Sequence, residues 1–292
     1  AVEIVPGGIE QWFTGPGQPS AEFPFLHSDD HLGVPQKNLY RLYLSALSDM
    51  KTAESSAVIL LANPAHQTAL NARKRLILAG TLSLQAEIDF SGRLLASSNA
   101  ASKEAIVWAH RRWIFGQLYP RRSFPEIAPA AVEAEFELIS RCCEACPRNY
   151  HAWSHHHFIV ECIHVSLRES HPTDTPYLAL FVGELVKLRR WVESHVSDYS
   201  AMHQLCTMIA RLLSDDLPGY SSTFGEWGGA GTHFEHALSL VIAYPSHESL
   251  WAYLRAVVRL APSLAASAIS FTAPLDGPLR NRLVLWIDDC IT

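Results

Sequence analysis

Five helix-sized segments recur along this chain, and their spacing constrains its fold more than any other feature. They are NPAHQTALNARKRLIL from Asn63, SKEAIVWAHRRWIFGQL from Ser102, PRNYHAWSHHHFIVECI from Pro147, VSDYSAMHQLCTMIARLL from Val196 and YPSHESLWAYLRAVVRL from Tyr244. In register, their large apolar anchors are Leu70, Trp108, Trp153, Met202 and Trp251, separated by 38, 45, 49 and 49 residues. A unit of roughly 35–50 residues is the length of a helical hairpin with its turns. In the third segment the apolar positions Tyr150, Trp153, Phe158, Ile159 and Ile163 follow one helical face.

Each segment opens with helix-starting chemistry. Asn63-Pro64 places a capping side chain before a proline whose missing N–H costs nothing at a first helical position. Ser102, Asn149, Asp198 and Ser246 are the candidate caps of the other four. Weaker amphipathic stretches lie between the segments, at about 52–62, 84–97, 129–146, 176–194 and 232–243. Pairing each with the helix that follows predicts five α–α hairpins, none able to bury its apolar face alone. The expected fold is all-α, a right-handed α–α superhelix of tetratricopeptide-like hairpins over 36–292, capped by a last helix near 278–289. Pro and Gly crowd residues 1–35, which read as an irregular N-terminal arm, and strand signals are almost absent. The segment PGYSSTFGEWGGAGT from Pro218 reads as a flexible Gly-rich insertion.

Composition removes several function classes. With 48% apolar and 18% charged residues in 292, a sizeable core is available. A formal net charge of −6 argues against general nucleic-acid binding, which needs excess Lys and Arg. No apolar run approaches the roughly 18–20 residues of a membrane span, so no stable membrane insertion is expected. The first residues lack the basic start and apolar core of a secretory signal. The six cysteines, Cys142, Cys143, Cys146, Cys162, Cys206 and Cys290, are sparse and unevenly placed, which favours a reducing cytoplasm over a disulfide framework.

The segments resemble the protein prenyltransferase α-subunit repeat, P-x-N-Y-x-x-W-x-x-R-[RQ]. The third keeps Pro147, Asn149, Tyr150 and Trp153, and the second keeps Trp108, Arg111, Arg112 and Trp113 as WAHRRW. The last, HESLWAYLR, is similar to the family's terminal repeat. The departures are Leu70 and Met202 at two anchors, His156 and Leu205 where Arg stands three residues past the anchor, and Glu104-Ala105 for Asn-Tyr.

The resemblance implies an α-type subunit of a geranylgeranyltransferase, active only with a β subunit, the one used by Rab geranylgeranyltransferase. Zinc and the lipid cavity then belong to that β subunit, and this chain holds no cofactor or metal. The substrates implied are geranylgeranyl diphosphate and a protein with a C-terminal Cys, and the curved inner surface would wrap the β subunit. Carried over by motif, Lys103 and His151 are the groups expected at the leaving diphosphate, with Tyr150, Arg148, Arg111 and Arg112 as substrate-binding candidates. A Lys beside a helix start and a His able to donate a hydrogen bond suit an anion. The local basic excess includes Arg121 and Arg122. The alternative is a non-catalytic tetratricopeptide-like scaffold.

Competing motifs are weak. His151 and His155 stand at i, i+4 near Cys143-x-x-Cys146, but spacing fixes no third or fourth metal ligand. The loop Gly228-Gly229-Ala230-Gly231 lacks the Lys-Ser/Thr of a phosphate-binding loop, and no G-x-S-x-G elbow occurs.

Overall fold

The computed structural model describes residues 2–7, 25–28, 31–120, 127–169, 176–213 and 225–290. It is all-α in class, and the predicted hairpins are present. They are α2 (Ala53–Ala62) with α3 (Gln67–Leu78), α4 (Leu84–Ser97) with α6 (Ala105–Leu118), and α7 (Pro129–Ala145) with α8 (Tyr150–Glu169). The last two are α9 (Pro176–Ser194) with α10 (Tyr199–Leu213) and α11 (Ala230–Ala243) with α12 (Glu248–Leu260). Helix α1 (Gln36–Leu47) packs on α2 ahead of them, and α13 (Ala265–Phe271) and α14 (Pro278–Cys290) follow. A one-turn helix not foreseen from periodicity, α5 (Asn99–Ser102), interrupts the second hairpin.

The anchors are core residues. Leu70, Trp108, Trp153, Met202 and Trp251 are all buried. The tryptophans add a polar device to their apolar bulk. Trp108 Nε1 donates to the Ser102 carbonyl at 2.8 Å, and Trp251 Nε1 donates to the Pro245 carbonyl at 2.7 Å. Both acceptors lie six residues upstream, so each indole closes the turn that precedes its own helix. In each case the residue that fills the core also donates to a carbonyl of the turn before it.

The predicted caps divide. Asn149 Oδ1 accepts from the Ala152 N–H at 3.2 Å, and Asp198 Oδ1 accepts from the Ser200 and Ala201 N–H groups at 3.1 Å. The other three are corrected. His66, not Asn63, caps α3 through Nδ1, because Asn63 and Pro64 are used in the turn leaving α2. Helix α6 begins after Glu104, which makes no side-chain cap bond, and Ser102 closes α5 instead. Helix α12 begins after His247, so Ser246 stands one residue too early.

The turns are tied to one another at the repeat distance. Asn149 Nδ2 donates to the Ser102 carbonyl and hydroxyl at 2.8 and 2.9 Å, 47 residues back. Ser249 donates to the Val196 carbonyl, 53 residues back, and the Ser197 hydroxyl meets His247 Nδ1 at 3.2 Å. In the first and third hairpins the position three past the anchor pairs with an acid on the first helix of the following hairpin. Arg73 engages Glu87 at 2.6 Å, and His156 Nε2 donates to Glu184 Oε1 at 3.0 Å. His156 therefore fills the role of the expected Arg with a shorter side chain.

The N-terminal arm is less irregular than its composition predicts. Three strands, β1 (Val2–Val5), β2 (Leu26–Ser28) and β3 (His31–Pro35), form a sheet in the order β1-β3-β2. β1 runs parallel to β3, and β2 antiparallel. Pro35 sits at the end of β3, where a missing N–H is tolerated. In the Gly-rich segment, Gly225–Gly228 form a single 3-10 turn and α11 starts at Ala230, so its C-terminal part is helical, not an open loop. Residues 218–224 of that segment lie outside the described residues.

The chain divides into two compact units. One comprises Ala1–Arg121 with Glu137–His155, the other Arg122–Phe136 with His156–Thr292. Helices α7 and α8 contribute residues to both. All six cysteines are free thiols. Burial pushes the Cys142 thiol up to about 11 and the Cys206 thiol up to about 12, so neither is a reactive thiolate at neutral pH.

Candidate functional site

The candidate residues of the second and third segments meet in the first unit, around the Ser102–Asn149 tie. Lys103 follows Ser102 and is exposed. Its N–H is spent on the Asn99 carbonyl at 3.2 Å, so it ends α5 and stands two residues ahead of α6. The lysine expected at a helix start thus stands in the turn between α5 and α6. Arg148 precedes Asn149 and is also exposed. The tie thus brings two free-standing cations, distant in sequence, to the flanks of one hydrogen bond.

Arg148 has a φ of 60°, in the left-handed region that a non-Gly residue enters at a cost of roughly 1–2 kcal/mol. That conformation lets the chain reverse between α7 and α8 so that Asn149 can both cap and tie. Tyr150 opens α8 and is 68% exposed. The His151 ring, half-buried, stands edge-on to it at 5.5 Å between centroids.

Arg112 joins this group from α6. Its Nη2 donates to the Ser154 hydroxyl at 2.9 Å, while Nε is buried without a hydrogen-bond partner. Burial pushes its guanidinium below the ordinary range, and the neighbouring Tyr150 works in the opposite direction. A half-buried guanidinium bonded only to a neutral hydroxyl keeps its positive charge uncompensated by that contact. Lys74 of α3 lies 5.3 Å over the Trp113 ring, a further cation on the neighbouring helix.

Arg111 belongs elsewhere. It is buried, and Nη1 donates to the Ile88 carbonyl at 2.6 Å and the Ser91 hydroxyl at 2.8 Å. A Cβ on Gly92 would lie 3.2 Å from that nitrogen, so the glycine makes room for the guanidinium. The structure therefore separates adjacent arginines, Arg111 turned to α4 and Arg112 to α8. Arg121 and Arg122 lie outside the described residues.

The two histidines at metal-like spacing are in different surroundings. His155 is fully buried, 5.1 Å from the Trp108 ring, while His151 reaches solvent. Among the described residues, no group of three or more His, Cys, Asp or Glu is arranged to hold a metal ion. Sequence reasoning missed Ser154 as the partner of Arg112. The signal was available in the register, since Arg112 stands four past one anchor and Ser154 one past the next.

Comparison with known proteins agrees with this reading of the repeats. The protein prenyltransferase alpha subunit repeat matches residues 132–163, from within α7 to within α8. Human protein prenyltransferase alpha subunit repeat-containing protein 1 is 26% identical over 92% of this chain and 71% of its own length. The zebrafish (Danio rerio) protein of that name is 28% identical over 87% of this chain and 62% of its own. The geranylgeranyl transferase type-2 subunit alpha of Saccharomyces cerevisiae is 20% identical over 75% of this chain and 62% of its own length. The chain thus spans less than two thirds of the zebrafish and yeast proteins. A matching repeat at the centre, anchors in register on either side, and relatives aligned along most of the chain make it similar to the proteins of the prenyltransferase alpha-subunit repeat kind.

Proposed function

We propose that this chain acts as the α-type subunit of a protein geranylgeranyltransferase. The observation that carries the proposal is the exposed basic group, Lys103 and Arg148 flanking the Ser102–Asn149 tie, with Tyr150 and His151 beside them. In the reaction a substrate cysteine thiolate forms a bond to C1 of the isoprenoid. The C1–O bond breaks, and the diphosphate leaves with the electron pair. This chain's part is to hold positive charge and hydrogen-bond donors where negative charge builds on the departing diphosphate. Lys103 supplies a point charge, His151 a ring N–H, and Arg112 a guanidinium spaced by Ser154. Zinc, held by the β subunit, would keep the substrate sulfur deprotonated. The partner of choice is the β subunit of Rab geranylgeranyltransferase, and the protein substrate carries a C-terminal Cys.

Co-expression with that β subunit tests the proposal. A stable complex should form, and Lys103→Ala should lower kcat by roughly one to two orders of magnitude while leaving the complex intact. Unchanged turnover would remove Lys103 from the chemistry. A competing reading, a binding scaffold without transferase activity, is favoured by the loss of the Trp anchor at Met202 and of the pairing Arg at Leu205. Absence of a complex at micromolar concentration would decide for it.

A further inference from the structure

Helix α1 carries more exposed large hydrophobic side chains than any other helix of the described residues, and it does so beside cations. Tyr40 is 60% and Leu44 51% exposed, and Leu42 and Leu47 are exposed as well. Four of the twelve exposed large hydrophobic side chains therefore lie on one twelve-residue helix, which rules out the scattered exposure normal for a surface. Tyr40, Leu44 and Leu47 follow an i, i+4, i+7 row, so they share one side. Leu39 and Ala46 are buried and fix that row outward. Lys37 and Arg41 are exposed along its edge, and α1 contains no Asp or Glu. The rings of Tyr40 and Tyr43 stack at 6.5 Å.

A cleft of about 580 Å³ adjoins the row. Ile4, Leu39 and Ala62 contribute apolar lining, and Lys37, Tyr40 and Arg41 complete its α1 side. A surface that alternates leucines and tyrosines with long-stemmed cations, with no acid among them, matches the boundary of an anionic bilayer. Leucines enter the acyl region, tyrosines lie at the headgroup level, and Lys and Arg stems lift their charges to the phosphates. A protein groove would call for a single apolar stripe, yet Leu42 lies off the Tyr40–Leu44–Leu47 row. The chain's overall charge of −6 does not oppose this, because acids more than about 10 Å away are screened at 0.1 M salt.

We propose that α1 and its cleft form a peripheral docking surface for anionic lipid membranes, with a headgroup phosphate between Lys37 and Arg41 and the Tyr40–Leu44–Leu47 row against the acyl boundary. No helix of the described residues is long and apolar enough to cross a membrane, so the contact is an adsorption. It is independent of the proposed transferase role.

The test is co-sedimentation of the full chain with large unilamellar vesicles. Phosphatidylcholine containing about 30% phosphatidylserine should retain the protein at least about fivefold better than pure phosphatidylcholine at 0.1 M NaCl, and the difference should shrink at 0.5 M. Lys37→Glu with Arg41→Glu, and separately Leu44→Asp with Leu47→Asp, should each reduce binding to the pure phosphatidylcholine level. These side chains are exposed, so thermal melts followed by circular dichroism should match the wild type. Equal binding to both vesicles, or variants that bind as the wild type does, would overturn the proposal. So would a lipid-free dimer abolished by Leu44→Asp with Leu47→Asp, because a second copy would then cover the face.

Discussion

Removing the Glu87 carboxylate should expose how the first unit is held together. Glu87 is fully buried on α4. Arg73 of α3 donates to it from Nε at 2.9 Å to both oxygens and from Nη2 at 2.6 Å. His110 Nε2 of α6 donates to Oε1 at 2.6 Å. Arg73 Nη1 reaches on to the Ala53 carbonyl at 2.6 Å and the Ser56 hydroxyl at 3.0 Å on α2. One carboxylate thus joins four helices through two donors. Leu in its place leaves the Arg73 guanidinium buried without a counter-charge, a loss of about 3–5 kcal/mol. That is about a fifth or more of a typical stability of roughly 5–15 kcal/mol. Arg73→Met should cost a comparable amount by stranding the carboxylate.

The double variant Arg73→Met/Glu87→Leu removes both charges and keeps the volume. It should cost about 1–2 kcal/mol, mainly from the His110 ring N–H left without its acceptor, since the Ser56 hydroxyl still donates to the Ala53 carbonyl. Urea unfolding followed by far-UV circular dichroism measures all three. The pH dependence gives an independent check. Burial alone would raise the Glu87 pKa, but the hydrogen bonds from His110 and Arg73, with their charges, outweigh it and hold the carboxyl below its ordinary 4.5. Its folded pKa is depressed, so its contribution is complete above pH 4.5 and is lost as pH falls through the folded value. The double variant should therefore lose less stability than the wild type below pH 4.5. Single variants each within about 1 kcal/mol of wild type, or a double variant costing the sum of the singles, would refute this account.

Three further outcomes follow from named contacts. Asn149→Ala removes a helix cap and a turn tie together and should cost about 2–3 kcal/mol in urea unfolding, and Asp198→Ala, which removes a cap and the acceptor of the Trp191 indole N–H, about 1–2 kcal/mol. Arg148→Gly relieves the left-handed strain and should stabilise the chain by about 1 kcal/mol, while lowering turnover with a β subunit if Arg148 serves the diphosphate. In the second unit, burial and the Arg189 charge push His236 down to about 4, although Glu193 at 3.1 Å opposes them. The unfolded chain then takes up this proton first as pH falls below 6.5. Stability should drop between pH 6.5 and about 4, and His236→Gln should flatten that slope in acid unfolding.

Much of the candidate site was legible in sequence because it follows a motif. By resemblance to the repeat family, PRNYHAW marked Arg148, Tyr150 and His151, and KEAIVW marked Lys103. The cap at Asn149 was legible for the same reason, since a capping side chain acts within three residues of itself. What the motif did not carry was the direction of each side chain. Arg111 and Arg112 are neighbours in WAHRRW, but about 100° of helical rotation separates them, and one serves the α4 packing while the other meets Ser154. The false caps at Asn63, Ser102 and Ser246 share a cause: turn length shifts a helix start by a residue or more, and the repeat spacing does not fix it.

The hairpins are legible in the chain before it folds, because the 3.6-residue period of apolar positions and the recurrence of large anchors are properties of short stretches. The same pattern marked Trp108 and Trp251 as core, since each stands at the anchor position of its segment. Tertiary structure alone decided which distant groups meet. Glu87 finds Arg73 and His110, His156 finds Glu184, and Asn149 finds Ser102, because stacking sets the rotation of one hairpin on the next. Tertiary pairing also decided the N-terminal strands. The strands are short and set among Pro and Gly, which conceals any strand pattern, and β3 is held by hydrogen bonds to two other segments rather than by its own propensity.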